Sequence, residues 1–197
     1  MYGVISMRLL EEMIKTRGEV CDGNVLKVGD FFNQQVDVAL VSEMGKELKK
    51  LYDNCGVTKV LTIEASGIPM ACMTAQFFDV PMVFAKKTES LNTSGSVYTA
   101  RVVSYTRGKS YTISVPTAYI TADDTVLIVD DFLATGNALM GLIGIVNAAG
   151  AKIAGVGIGI EKAFQDSGSK VRNLGIRVES LAKIKSMDPK TGVVFCD

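Results

Sequence analysis

Residues 126 to 141 read VLIVDDFLATGNALMG. Four apolar residues run straight into two adjacent carboxylates, Asp130 and Asp131, and then into a loop closing on Thr135, Gly136 and Asn137. A loop of this kind that opens a helix presents backbone N–H groups, and the helix N-terminus adds a field that favours an anion. Thr135 offers a hydroxyl beside them. Neighbouring acids with no arginine close by suit a metal ion or a pair of sugar hydroxyls. Together these residues make a seat for a sugar phosphate. The plainer alternative is a helix cap followed by two solvated acids.

Other stretches carry chemistry of the same kind. In IEASGIP (residues 63 to 69) an apolar strand ends at Glu64, and Ala65, Ser66 and Gly67 turn toward a helix beginning near Pro69. Small side chains there let a backbone approach an anion closely. Lys86 and Lys87 follow the next apolar segment and could meet a diphosphate, or stand as a solvated pair. Lys162 follows IAGVGIGI and precedes Ala163 and Phe164. It reads as a cation entering a ligand crevice, or as a snorkelling surface lysine.

Two competing motifs fail on spacing. An apolar strand ending in acids also marks a nucleotide hydrolase, but the required phosphate loop is missing. GKS occurs at residues 108 to 110, and the first glycine of that motif would have to stand where Val103 is. The glycines of GVGIG (residues 155 to 159) lack the dinucleotide-binding spacing, and read as close packing in a strand.

Composition narrows the chemistry further. The 197 residues are 48% apolar and 21% charged, with a formal net charge of zero, which suits one domain with a real core. Neutral balance does not suggest a nucleic-acid stripe or a polybasic membrane anchor, and leaves room for a local basic patch. With no histidine in the chain, a Ser-His-Asp triad and histidine metal sites are excluded. Any metal must then be held by oxygen, which favours magnesium over zinc. Cys21, Cys55, Cys72 and Cys196 form no CxxC pair and read as reduced thiols of a cytoplasmic protein. Met1 to Ser6 read as an extension, too short and too neutral for a signal peptide. The apolar run of residues 141 to 160 is interrupted by Asn147, Gly150 and Lys152. It reads as helix, turn and strand and not as a bilayer span.

Periodicity supplies the elements that would position these groups. Helices are expected at residues 7 to 18, 36 to 56, 70 to 78 and 137 to 150, with a short one near residue 170. Apolar strands are expected at 59 to 64, 81 to 86, 125 to 131 and 151 to 164, with a last one at 177 to 184 before the tail. A short strand and a loop cover residues 24 to 37. Residues 87 to 119 show no helical period. They suggest two antiparallel strands joined at Arg107 to Lys109, with a mobile loop from Lys87 to Ser96. The fold class is α/β, a central parallel sheet with helices on both faces. In such sheets ligands sit beyond the carboxyl ends of the strands, where the acids, lysines and small turns all fall.

Taken together, these residues resemble the type I phosphoribosyltransferase family. VLIVDDFLATGNA is similar to that family's binding motif for 5-phosphoribosyl 1-diphosphate, and the likeness runs from Met7 through most of the chain. VLKVGDFFNQQVD, TKVLTIEASGI, VPMVFAKK, IEKAF and RVESLAKI resemble the bacterial branch that acts on xanthine. The first six residues do not belong to the pattern. The resemblance implies a single domain: residues 7 to 36 contributing to a hood, 37 to 86 and 120 to 180 forming the core, and 87 to 119 a β-flap over the site, with the N- and C-terminal segments making the small hood. It implies that Ala134, Thr135, Gly136, Asn137 and Ala138 hold the 5′-phosphate, mostly by backbone. Asp130 and Asp131 would be catalytic and hold the ribose hydroxyls. Ala65, Ser66, Gly67, Lys86 and Lys87 would meet the diphosphate, and Leu26, Asn33 and Lys162 the purine. Magnesium would arrive with the substrate and share the two aspartates. A homodimer is implied, with small-molecule substrates and neither nucleic acid nor membrane as partner.

The expected reaction is salvage of xanthine to xanthosine 5′-monophosphate. One alternative keeps the fold and changes the base to guanine or hypoxanthine. Another is a non-catalytic regulator that senses the sugar diphosphate. It would need a DNA-binding part, and the residues before the first expected strand supply one helix of mixed charge.

Overall fold

The computed structural model describes residues 7 to 88, 95 to 104 and 109 to 196. Most of the expected loop from Lys87 to Ser96, part of the joint at Arg107 to Lys109, and Met1 to Ser6 lie outside the described residues.

The chain opens with helix α1 (Arg8–Arg17), which buries Leu10 and Ile14 and stops at Gly18. A small hairpin follows, β1 (Glu19–Cys21) against β2 (Val25–Lys27), and then a tight helical turn over Gly29–Asn33. Asp37 caps helix α2 (Val38–Tyr52), its carboxylate accepting from the Leu40 N–H at 3.1 Å. Leu40, Val41, Met44, Leu48 and Tyr52 fall on one face of α2 and are buried. Strand β3 (Lys59–Ile63) leads into α3 (Ile68–Phe78), which carries Pro69 in its first turn. Strand β4 (Met82–Thr88) leads into the ribbon β5 (Val97–Ser104) and β6 (Lys109–Pro116). Strand β7 (Thr125–Leu133), helix α4 (Asn137–Ala148) and strand β8 (Lys152–Lys162) make the central unit. Short α5 (Ser167–Arg172) and strands β9 (Val178–Asp188) and β10 (Gly192–Phe195) complete the chain.

Eight strands form one sheet in the order β10-β9-β8-β7-β3-β4-β6-β5. The five from β9 to β4 run parallel, and β10, β6 and β5 are antiparallel to their neighbours. The parallel part has near-continuous apolar strands because helices cover both faces. One core lies between the sheet and α1, α2 and α3, around Phe31, Met44, Leu48, Met70, Leu127 and Val129. The other lies under α4, where Leu142, Ile145 and Val146 are fully buried against Val126, Ile128 and Val156. Each such side chain is worth roughly 1.5–3 kcal/mol on burial. No helix of the described residues is long and apolar enough to cross a membrane.

Two features differ from the sequence reading. The tail holds a further strand: β9 runs past the expected end at residue 184 to Asp188, and the chain turns back as β10. The expected antiparallel pair is present, but its base belongs to the sheet. Lys86 and Lys87 of β4 pair with Ser114 and Ile113 of β6, and Val102, Ile113 and Val115 are buried beside α4.

Candidate active site

Strands β3, β4, β7 and β8 all end at one edge of the sheet, and the polar residues singled out in the sequence stand there. Strand alternation sends Asp130 toward the α4 side with Val126 and Ile128, and Asp131 toward the α2 side with Leu127 and Val129. Both aspartates are only 6% exposed. The Asp131 N–H donates to Asp130 Oδ1 at 3.0 Å. Burial pushes the Asp130 carboxyl well above its usual range, and the neighbouring Asp131 charge pushes it the same way. Lys87 pulls it back in part. Asn33 Nδ2 donates to Asp131 Oδ2 at 3.4 Å, so the segment between β2 and α2 reaches the acid pair.

The turn after β3 presses against Asp130. A side chain at Gly67 would put its Cβ 2.9 Å from Asp130 Oδ1 and 2.3 Å from Thr62 Oγ1, so only glycine lets this turn approach so closely. The Glu64–Ala65 peptide is cis. Glu64 Oε1 accepts from the Lys87 N–H at 2.6 Å, which ties the turn to β4. The Thr62 hydroxyl is buried with no hydrogen-bond partner among the described residues.

Lys86 and Lys87 part company. As neighbours in a strand they face opposite sides of the sheet. Lys87 lies on the Asp130 side, its Nζ 5.5 Å from the centre of the Tyr111 ring. Lys86 instead lines a groove of about 600 Å³ on the other face, with Phe84, Met82, Pro116 and Tyr119. Tyr111 was not singled out in the sequence. Burial raises its hydroxyl's pKa, and the Asp130 charge pushes it the same way. Alternation along β6 was the available signal, since Tyr111, Ile113 and Val115 share a face.

Residues 134 to 136 form the expected loop, and Asn137 and Ala138 open the first turn of α4. Gly136 has φ +78, a left-handed conformation that favours glycine, and its carbonyl accepts the Met140 N–H at 2.9 Å. The Asn137 side chain donates to the Val103 carbonyl of β5 at 2.8 Å. It is thereby spent on the ribbon, and what Asn137 offers the loop interior is its backbone. Ser167, at the start of α5, donates its hydroxyl to the Ala134 carbonyl. Nothing in local spacing links Ser167 to a loop 33 residues earlier.

Lys162 is half-buried at the end of β8, and burial lowers its pKa. Its Nζ lies 5.7 Å from the Phe132 ring centre and donates to the Asn24 carbonyl at 2.7 Å. Asn24 sits in the β1–β2 turn with φ +60. The aromatic neighbour is thus Phe132, while Phe164 stands 39% exposed. Beside Lys162, Glu161 is buried and held by Arg172 in a two-pronged pair at 3.0 and 2.9 Å, with Ser180 donating at 2.5 Å. Leu26 packs inward, only 6% exposed. It shares with Asn33, Lys27 and Gln34 the wall of a cleft of about 780 Å³.

Residues 35 to 174 match the phosphoribosyl transferase domain family. Among curated proteins, the chain is 52% identical over 182 residues to the xanthine phosphoribosyltransferase of Ruminiclostridium cellulolyticum, covering 92% of this chain and 96% of the relative. It is 49% identical over 188 residues to the xanthine phosphoribosyltransferase of Lachnoclostridium phytofermentans, covering 95% and 97%. Among solved structures, an APRTase from Giardia lamblia complexed with 9-deazaadenine superposes with a TM-score of 0.76 at 24% identity, covering 92% of this chain and 99% of that one. That last likeness concerns the fold alone.

Proposed function

Because this chain belongs to the phosphoribosyl transferase family, we propose that it transfers the phosphoribosyl group of 5-phosphoribosyl 1-diphosphate to xanthine, releasing diphosphate and xanthosine 5′-monophosphate. The single observation that carries this reading is the buried Asp130–Asp131 pair near the end of β7, which runs on at Leu133 into the residues 134 to 138 at the head of α4.

In the transfer, the bond from the anomeric carbon to the diphosphate oxygen breaks, its electron pair leaving with the diphosphate, and a purine ring nitrogen that has given its proton to solvent bonds to that carbon. Positive charge grows on the ribose ring and negative charge on the departing diphosphate. The two carboxylates beneath the ring hydroxyls favour the first charge, and backbone N–H groups and Lys87 favour the second. The 5′-phosphate rests on the amides of Ala134 to Ala138. Xanthine presents two exocyclic carbonyl oxygens and a readily lost proton. A lysine donor at 162 suits it better than it suits adenine, whose exocyclic amine is itself a donor. Lys162 would exchange the Asn24 carbonyl for a purine oxygen, and Asn33 and Leu26 would meet the base from the hood.

The donor set fits magnesium in kind. Asp130 and Asp131 supply hard oxygen ligands, and among the described residues no three or more acids and cysteines are grouped so as to hold a metal ion by themselves. A shared ion would take its remaining ligands from the substrate, and when bound it would neutralise charge on the diphosphate. The ribbon β5–β6 is proposed as a flap that keeps water from the donor. A homodimer in the cytoplasm accords with the same reading.

The test is base competition. Purified protein is given labelled sugar donor with xanthine, guanine, hypoxanthine and adenine side by side, with magnesium and after chelation. Preference for xanthine and loss of turnover on chelation are expected. Preference for guanine or hypoxanthine would move the acceptor while keeping the reaction, and no transfer to any purine would overturn it.

A further inference from the structure

We infer that Ser167 is a positioning residue for the phosphate cradle, orienting the Ala134–Thr135 peptide so that the Thr135 N–H faces the ligand. This rests on the reading of residues 134 to 138 as the 5′-phosphate seat and goes on to say what holds that seat in shape.

The Ala134 carbonyl and the Thr135 N–H belong to one peptide unit. In a trans peptide they point in opposite directions. This one is trans, since the chain's cis bond among the described residues is Glu64–Ala65. A loop that binds an anion must turn its carbonyl oxygens outward, because an oxygen facing the ligand would repel it. Ser167 Oγ donates to the Ala134 oxygen. That bond pins the carbonyl toward α5 and thereby commits the adjacent N–H to the opposite side. The hydroxyl has one proton to give. Its other acceptor, the Gln165 carbonyl, stands at 3.5 Å and is the weaker claim on it.

The contact is built into a rigid setting. Ser167 is 4% exposed. A Cβ at Gly136 would lie 3.2 Å from the Ser167 Cβ, so serine packs flush against the loop's left-handed glycine. Behind it, α5 is tied to the sheet. Val171 is buried, and Arg172 grips Glu161 through both nitrogens while donating to the Val178 carbonyl at 3.2 Å. A hydroxyl held this firmly stands in position before ligand arrives, which is what preorganised recognition requires.

The test separates the two ends of the sugar donor. Ribose 5-phosphate and magnesium diphosphate are titrated calorimetrically into the full-length parent, Ser167→Ala and Ser167→Cys. Ser167→Ala should bind ribose 5-phosphate about tenfold more weakly, the worth of roughly one net hydrogen bond. Its affinity for diphosphate should stay within about twofold of the parent, and in turnover assays the donor KM should rise while the purine KM holds. Ser167→Cys, which keeps a weak donor, should fall between, and stands in if the alanine variant does not fold. Parental affinity for ribose 5-phosphate in the folded variants overturns the inference, as does an equal loss for both probes. A parent that ignores ribose 5-phosphate overturns the cradle reading itself, and the inference falls with it.

Discussion

Asn33 and Asp131 meet across 98 residues of chain, the side-chain amide 3.4 Å from the carboxylate oxygen. The turn before α2 is thereby connected to the residue proposed to carry the ribose, and a base held at Asn33 would lie beside the carbon it attacks. Asp131→Ala should lower turnover by at least about tenfold, since it removes an interaction that strengthens as charge develops on the ring. Steady-state kinetics with saturating substrates check this. A turnover within twofold of the parent would count against the ribose role.

Asp130 should trade stability for activity. Its pKa is raised in the fold, so its ionised form is disfavoured there. The stability tied to this group is full below the ordinary value of 3.8 and is lost as pH rises through the raised value. Asp130→Asn keeps an oxygen for the Asp131 N–H and removes that loss. The ligand-free variant should melt roughly 2–4 °C higher at neutral pH, what about 1 kcal/mol is worth in a chain of this size. Turnover should fall at the same time. Calorimetry on the two proteins reads the first effect, and a melting point at or below the parent's would contradict it.

Lys162→Met should raise KM for the purine far more than KM for the sugar diphosphate. Burial lowers the Lys162 pKa below 10.5. As pH climbs through the lowered value the ammonium is lost, so purine KM should begin to rise before pH 10.5. Lys162→Arg should push that rise to higher pH, because guanidinium stays charged. Equal changes in both KM values for the methionine variant would contradict a role in base recognition.

Glu161 shows the opposite sign. Burial pushes its carboxyl up, but hydrogen bonds from Arg172 and Ser180 outweigh burial and leave its pKa lowered. Stability from this group is present above pH 4.5 and is lost as pH falls through the lowered value. Glu161→Gln should cost ~1–3 kcal/mol at neutral pH, a figure moderated by the partial exposure of Arg172, and should flatten the acid limb of the stability curve. Denaturant titrations at several pH values measure both. An unchanged acid limb would contradict the pairing.

Much of this was legible in the sequence because it is local. The acids, the Thr-Gly turn and the helix behind them occupy consecutive positions, and apolar runs marked β3, β4, β7 and β8 well. What escaped had short-range or long-range causes. Strands β1 and β10 are too short to show a period, and they exist because each pairs with a neighbour. The divergence of Lys86 and Lys87 follows from strand alternation, but only once both are known to lie inside β4. Ser167 and Tyr111 reach the site from elements that no motif connects to it.

The most direct measurement is a crystal structure with the nucleotide product. The account predicts its 5′-phosphate within hydrogen-bond distance of the backbone amides of residues 134 to 138, and its ribose hydroxyls on Asp130 and Asp131. A product molecule bound elsewhere, with that loop and those carboxylates free of it, would contradict the account.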